Sequence, residues 1–413
     1  MVSEKVVGLG HQSPGRLDAC VTSFVGQLRS AAYSERTIRK RRASVRAFVR
    51  WIEARRLPLT GLDEFEVDAF LGRFKRRSKD RFARERAALR LFLRHLRAEG
   101  EIPDPTPRGK CSPEDELARR YVDYLRNDQG LAENSILVYS PYIRDFLGER
   151  ARHGSVSPAD IDAFAVQDFL LDRMRGRSSE WSRLLAMALR SFLRFLFNSG
   201  ETDRDLSRAI PTVRKWRQAE VPAFLSSDDV ERVLSRTDRS TPCGRRDHAV
   251  LLLLARLGLR AGEVVKLELD DINWRRGEIV VRGKGGTVDR FPLPSDVGEA
   301  VALYLRKDRS TPTSRRVFIR TFAPYVGLAG PGSISSIARK AFARAGIRRP
   351  SRGAAHIFRH SLATRMIRQG ATMAEISEVL RHRSQDSTAM YAKVAFEALR
   401  GVARPWPSRG GAR

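Results

Sequence analysis

The stretch His356-Ile357-Phe358-Arg359-His360 opens a segment of helical character that runs to Leu380-Arg381-His382-Arg383-Ser384, and Tyr391 follows nine residues after His382. Two imidazoles, an arginine and a late tyrosine at this spacing suggest a phenol attacking a phosphodiester. That chemistry needs a nucleophile, positive charge against the non-bridging oxygens, and a proton for the leaving oxygen. Arginine suits the second task because its planar fork binds two oxygens and stays charged.

The composition around this stretch narrows the partner. A chain of 413 residues predicts two or three domains, and a hydrophobic fraction of 42% is enough for packed cores. Lys and Arg number 77 against 48 Asp and Glu, a net charge of +29, with a pI near 11.1. Such an excess points to a polyanion, since each neutralised phosphate releases condensed counterions. A merely soluble basic surface carries a far smaller imbalance. The longest apolar run, Ala249 to Ala255, is core-sized and too short to span a bilayer. Met1-Val2-Ser3-Glu4-Lys5 lacks the pattern of a signal peptide. Cys20, Cys111 and Cys243 are scattered, without metal-ligand spacing, and suit a reducing cytoplasm. The expectation is a cytoplasmic, nucleoid-associated protein with no membrane partner.

Along the chain, residues 1–16 read as a loose polar arm. Helix-face spacings follow, with Phe24, Leu28, Ile38, Val45, Phe48, Val49 and Ile52, a break and N-cap at Ser34, and a further helix near Ala83 to Ala98. Asp104-Pro105-Thr106-Pro107-Arg108-Gly109 disfavours helix and reads as a linker. The pattern then repeats. Ala88-Leu89-Arg90-Leu91-Phe92-Leu93-Arg94-His95-Leu96 is answered by Ala188-Leu189-Arg190-Ser191-Phe192-Leu193-Arg194-Phe195-Leu196. Thr37-Ile38 and Val45 to Phe48 are answered by Ser135-Ile136 and Ile143 to Phe146, and Val67, Phe70 and Leu71 by Val166, Phe169 and Leu170. An offset near one hundred residues with blocks in matching order predicts a duplicated domain. Two small all-helical domains are expected, 17–103 and 113–203, joined by 104–112. Arg36, Arg39, Lys40, Arg41, Arg42 and Arg46 form a charge run that usually means a solvated face. At +29 overall, a face that tracks phosphates is the better reading.

After a basic linker, 204–221, a third region begins. Ser226 predicts a helix N-terminus. Asp247 to Leu257 reads as an apolar helix ended by Gly258, and Glu278 to Val281 with Val288 to Phe291 as two strands around Gly283-Lys284-Gly285-Gly286. The remainder reads as helix around this one small sheet.

Phosphodiester cleavage by clustered carboxylates and metals finds no constellation here, because Asp270-Asp271 sit alone at a helix-to-strand junction. Plainer readings stand beside the chemical ones. Arg260 by itself would be a surface arginine, although Gly258 and Glu263 raise it. Lys284 in a Gly-rich turn would be a solvated hairpin residue, and without a following Ser/Thr it is no nucleotide loop. His356 and His360, four apart, could share a helix face as metal ligands, but Ile357 stands where a zinc protease needs glutamate. His360 is given no catalytic role. Core packing accounts for Tyr304 and Tyr325.

Taken together, Gly258-Leu259-Arg260-Ala261-Gly262-Glu263, the hairpin lysine in Arg282-Gly283-Lys284-Gly285-Gly286, His356 with Arg359, His382 and Tyr391 resemble the tyrosine recombinase (phage integrase) family over roughly Pro222 to Pro407. The resemblance implies a mainly α fold: two small helical-bundle (SAM-like) DNA-binding domains, then a mostly α-helical catalytic domain at 222–402 with a small antiparallel sheet, and a basic tail at 403–413. One such binding domain is usual in the family, and two is a departure. It implies that Tyr391 attacks the scissile phosphate to give a 3′-phosphotyrosyl bond, with His356 taking its proton. Arg260 and Arg359 would clamp the non-bridging oxygens. Lys284 would protonate the leaving 5′-oxygen, His382 would donate to the phosphate, and Glu263 would support its neighbours. No metal, ATP or other cofactor is implied, because the covalent bond conserves the energy for religation. The implied partners are double-stranded DNA, other copies of the chain in a tetramer on two DNA sites with exchange of the C-terminal tail, and other recombinases or accessory proteins.

The activity so implied is site-specific cutting and rejoining of DNA, as the integrase or transposase of a mobile element. The alternatives are a type IB topoisomerase-like relaxer and a non-catalytic DNA-binding or architectural factor. One position departs from the family. Arg381 stands where glycine is usual, after a helix expected from Thr372 to Leu380 with a Thr372/Glu375 capping box. A left-handed arginine costs about a kilocalorie, so either the turn differs or Arg381 adds a phosphate contact.

Overall fold

The computed structural model describes residues 14–73, 79–104, 112–154, 157–213, 223–283, 287–309, 314–348, 353–381 and Tyr391. The expectations for Lys284, His382 and the C-terminal tail lie outside the described residues. The chain divides into two compact units, Met1–Ile102 together with Gln218–Arg413, and Pro103–Arg217.

The first unit begins with α1 (Pro14–Ser30), α2 (Glu35–Ala54), α3 (Glu64–Gly72) and α4 (Lys79–Ala98). Ser34 caps α2 by accepting from the Thr37 N–H, and Asp63 caps α3 by accepting from the Phe65 N–H at 2.7 Å. The second unit holds α5 (Pro113–Asn127), α6 (Glu133–Arg152), α7 (Ala163–Met174) and α8 (Ser179–Asn198). The internal order is the same, down to a one-turn 3-10 segment before the third helix, Leu59–Gly61 and Pro158–Asp160, and an Asp cap on that helix, Asp63 and Asp162.

Two aromatic pairs recur at matching places in the two cores. Phe48 meets Phe70 edge-on at 5.3 Å between ring centroids, and Phe146 meets Phe169 edge-on at 5.1 Å. Likewise Phe24 meets Phe92 at 5.3 Å, and Tyr121 meets Phe192 at 5.2 Å. Edge-to-face pairs of this kind add to the burial of the rings themselves.

The rest of the first unit is built on α10 (Pro242–Arg256), whose Ala249-to-Ala255 run is buried throughout. A helix apolar on all sides belongs at the centre of a core. Packed around it are α9 (Ser227–Ser235), α12 (Ser295–Lys307), α13 (Pro331–Arg344) and α14 (Ala354–Arg368). α10 starts five residues before the apolar periodicity, where Thr241 accepts from the Gly244 N–H and Pro242 occupies the first turn. Short α11 (Ala261–Lys266) and α15 (Met373–Leu380) complete the helices.

The sheet is antiparallel in the order β1 (Ile272–Asn273), β2 (Glu278–Arg282), β3 (Val288–Pro292). Ile279 pairs with both Ile272 and Phe291, and Ile279 and Val281 turn their side chains into the core. The two-residue β1 has too little pattern of its own to be read from sequence and exists through its pairing with β2. Asp270 and Asp271 each have an arginine partner, Arg315 and Arg282, and Asp271 also accepts from the Glu268 N–H at 2.9 Å. Asp271, through Arg282 at the end of β2, braces the sheet.

Candidate active site

Three helix ends meet at one point: the C-termini of α10 and α15 and the first half of α14. α14 is pinned by Ser361, whose Oγ accepts from the Leu225 N–H at 2.8 Å. α10 ends at Gly258, which has φ +59°; a Cβ there would come within 2.9 Å of both Leu362 and Leu380. Glycine is thus required twice, by the left-handed backbone and by the closeness of α14 and α15.

Arg359, on α14, is 3% exposed. One of its Nη groups donates to the Gly258 carbonyl at 2.7 Å and the other to the Leu380 carbonyl. The last carbonyls of a helix lack intrahelical partners and carry the negative end of its dipole. Arg359 therefore rests on two helix ends, which offsets part of the cost of burying its charge. Burial, followed by Arg260 and Arg381, lowers its pKa to about 10, so it stays cationic at neutral pH.

Arg260 precedes α11 and is half-buried. The Glu263 carboxylate accepts from the Arg260 backbone N–H at 2.8 Å and from its Nη1 at 2.9 Å, and Arg260 Nη2 donates to the Arg381 carbonyl at 3.3 Å. The Thr372/Glu375 box forms as read, and Arg381 ends α15 in the left-handed conformation itself, at φ +54°, so the turn keeps the geometry that suits glycine. Its guanidinium reaches Glu263 at 2.8 Å and lies 4.9 Å from the Phe291 ring centroid.

Tyr391 is 1% exposed and belongs to an apolar cluster with Leu362, Ala363, Ile376 and Leu380. Burial pushes its phenol up to about 12, against the lowering pull of Arg359 and Arg260. Its oxygen stands 2.7 Å from Nδ1 of His360, the histidine given no role from sequence. Burial, then His356 and Arg359, hold His360 down at about 4, so its ring is neutral at pH 7. With its proton on Nε2, that ring accepts the phenol O–H. His356 stands at the exposed rim of the same helix, its ring 5.6 Å from that of His360 between centroids. Desolvation, then Arg359 and Arg260, lower its pKa as well. The i, i+4 spacing on α14 is the one sequence signal for His360, and from sequence it speaks only to metal binding. Among the described residues, no three His, Cys, Asp or Glu side chains come together as metal ligands.

Arg260, Glu263, His356, Arg359 and Tyr391 are thus gathered at one place, while Lys284 and His382 lie outside the described residues. A buried phenol beside a proton-accepting ring and guanidiniums is suited to attack on an anionic ester. Tyr304 is core, its hydroxyl accepting from the Ile319 N–H at 3.2 Å, and Tyr325 is half-buried.

The comparisons with known proteins agree with this class of site. The phage integrase family profile matches residues 223–398. The integrase/recombinase homologue y4rA of Sinorhizobium fredii is 44% identical over 326 residues, 78% of this chain and 78% of its own. The tyrosine recombinase XerD of Listeria monocytogenes is 29% identical over 300 residues, 71% of this chain and 99% of its own. The chain belongs to the phage integrase family and is a tyrosine site-specific recombinase. Its fold is that of XerH recombinase bound to palindromic difH substrate in a post-cleavage complex (TM-score 0.57, 17% identity, 72% of this chain and 98% of that one). It is also that of a lambda integrase dimer bound to a COC′ core site (TM-score 0.51, 17% identity, 67% and 94%). No described helix is long and apolar enough to cross a membrane.

Proposed function

We propose that the chain cuts and rejoins double-stranded DNA through Tyr391, as the integrase or transposase of a mobile element. The phenol oxygen bonds to the scissile phosphorus, the bond from phosphorus to the 5′-oxygen breaks, and a 3′-phosphotyrosyl link holds the strand. The phenol proton passes to the histidine pair on α14, and Lys284 returns one to the 5′-oxygen. Arg260 and Arg359 hold the non-bridging oxygens where charge develops, His382 donates a hydrogen bond, and Glu263 orients Arg260. The reverse attack by a 5′-hydroxyl from another strand completes recombination and needs no external energy.

The observation that carries this reading is the convergence of Tyr391, Arg359 and Arg260, from three separate segments, on one pocket. The helical regions 17–103 and 113–203 are read as two domains that grip the duplex, ahead of a catalytic domain at 222–402. Four copies would act together on two DNA sites, linked by exchange of the C-terminal segment, alone or with other recombinases and accessory proteins.

A suicide duplex, nicked near the cleavage point so that the released piece diffuses away, tests the chemistry. Wild type is expected to form a covalent protein–DNA adduct that Tyr391→Phe abolishes. An adduct in both, or in neither, removes Tyr391 from the role. Plasmid relaxation without products joined between sites would instead favour the topoisomerase-like alternative.

A further inference from the structure

Arg381 is the one residue of the pocket that departs from the family pattern, and its geometry gives it work. At φ +54° its Cβ is crowded in a way that glycine avoids entirely. Its side chain is nevertheless drawn inward, 9% exposed, and its guanidinium is held twice, by the Phe291 ring beneath it and by Glu263 at 2.8 Å. Its Nε and Nη1 are buried and have no hydrogen-bond acceptor among the described residues. A strained backbone and an incompletely satisfied buried cation persist only where the surroundings or the function hold them.

Resting on the reading of Tyr391 as nucleophile, we propose that Arg381 is a positioning residue that holds the Glu263 carboxylate, leaving the charge of Arg260 and Arg359 for the scissile phosphate. Glu263 is 5% exposed at its side chain and touches both Arg260 and Arg381. Water does not screen a carboxylate at such a depth, so it cancels whichever cation is nearest. With Arg381 absent, that cation is Arg260. Three guanidiniums against one carboxylate leave the pocket with two net positive charges, and without Arg381 one remains. Attack of a tyrosyl oxygen on a phosphodiester gathers two negative charges around phosphorus, which the larger balance matches. Glycine at this position would relax the turn and forfeit that match.

The probe is a nicked suicide duplex, chosen from a random library by covalent capture with the wild type and assayed in single turnover. Arg381→Gly is expected to form adduct ~10- to 100-fold more slowly, less than when a donor touching the transition state is lost, because Arg381 acts through Glu263. Arg381→Lys, which keeps the charge, recovers most of the rate. On a duplex with a neutral methylphosphonate at the scissile position, Arg381→Gly and wild type differ by less than about 3-fold, because the charge match no longer matters.

A wild-type rate for Arg381→Gly on the phosphodiester overturns the proposal, and so does an Arg381→Lys variant as slow as Arg381→Gly. Loss of rate on both linkages alike means a structural role and also overturns it. Circular dichroism checks the fold of each variant; should Arg381→Gly fail to fold, Arg381→Met, which keeps the stem and the backbone constraint, replaces it with the same expectations. Tyr391→Phe runs alongside. An adduct from that variant, or none from wild type, overturns the reading of Tyr391; an adduct dependent on Tyr391 but indifferent to Arg381 overturns the role of Arg381 alone.

Discussion

His360 has two consequences, one from its 2.7 Å contact with the Tyr391 hydroxyl and one from its burial beside His356 and Arg359. The first is a resting nucleophile held in place by a ring that is neutral at pH 7. The second is a pH dependence of stability. The folded pKa of about 4 lies below the ordinary 6.5, so the unfolded chain binds the proton more readily between those values. The stabilisation is therefore complete above pH 6.5 and is lost as pH falls through that window, by at most about 3 kcal/mol. His360→Asn puts an amide oxygen near the place of Nδ1 and cannot titrate. Urea unfolding between pH 7 and 4 is expected to be less pH-dependent in this variant than in wild type. An identical slope would mean that His360 protonates as easily in the folded chain as in the unfolded one. His356 is shifted in the same direction, so part of the slope remains.

Helices α2 and α6 occupy the same place in the two repeated bundles and present different surfaces. Arg36, Arg39, Lys40, Arg42 and Arg46 are exposed on α2, and Arg41 lies over the Tyr33 ring at 4.2 Å. On α6 the positions matching Arg39 and Lys40 are Leu137 and Val138, 68% and 42% exposed. The buried faces kept their pattern because each has a core to fill, whereas the outer faces answer to whatever they meet. Replacing Arg39 and Lys40 together by alanine is expected to lower the slope of log affinity against log salt by about 2, one unit for each phosphate left unneutralised. Alanine at Leu137 and Val138 should leave that slope unchanged. Filter binding on one duplex across a salt series measures both, and an equal effect from the two pairs would contradict the distinction.

For the whole molecule, the excess of 29 positive charges and the duplicated bundle point the same way, toward a long contact with a polyanion. If each bundle grips the duplex, the footprint on a half-site exceeds what one bundle protects. Deleting Met1 to Gly109 should then shrink the region shielded from nuclease at the outer edge of the site. A footprint of unchanged length would leave the first bundle to protein contacts.

The fold was legible where local physics suffices. Helix-period apolar positions, the Ser34 and Ser226 caps, the Gly258 stop and the Thr372/Glu375 box each depend on neighbours within a few residues, and they form as read. The likeness between the two helical blocks was equally plain, since it needs only comparison of the chain with itself. Less local features were not. β1 is two residues long and depends on its partner, and the polar first turn of α10 carries no periodicity. The residue types of the pocket, Arg260, Glu263, His356, Arg359 and Tyr391, were written in the sequence, because a phosphodiester reaction demands those chemistries. Who touches whom was decided only by the tertiary structure. His360 meets a phenol 31 residues away, and Arg381 meets a carboxylate 118 residues away. Those pairings arise from the packing of α14 and α15 against Gly258 at the end of α10, and no spacing along the chain encodes such a junction.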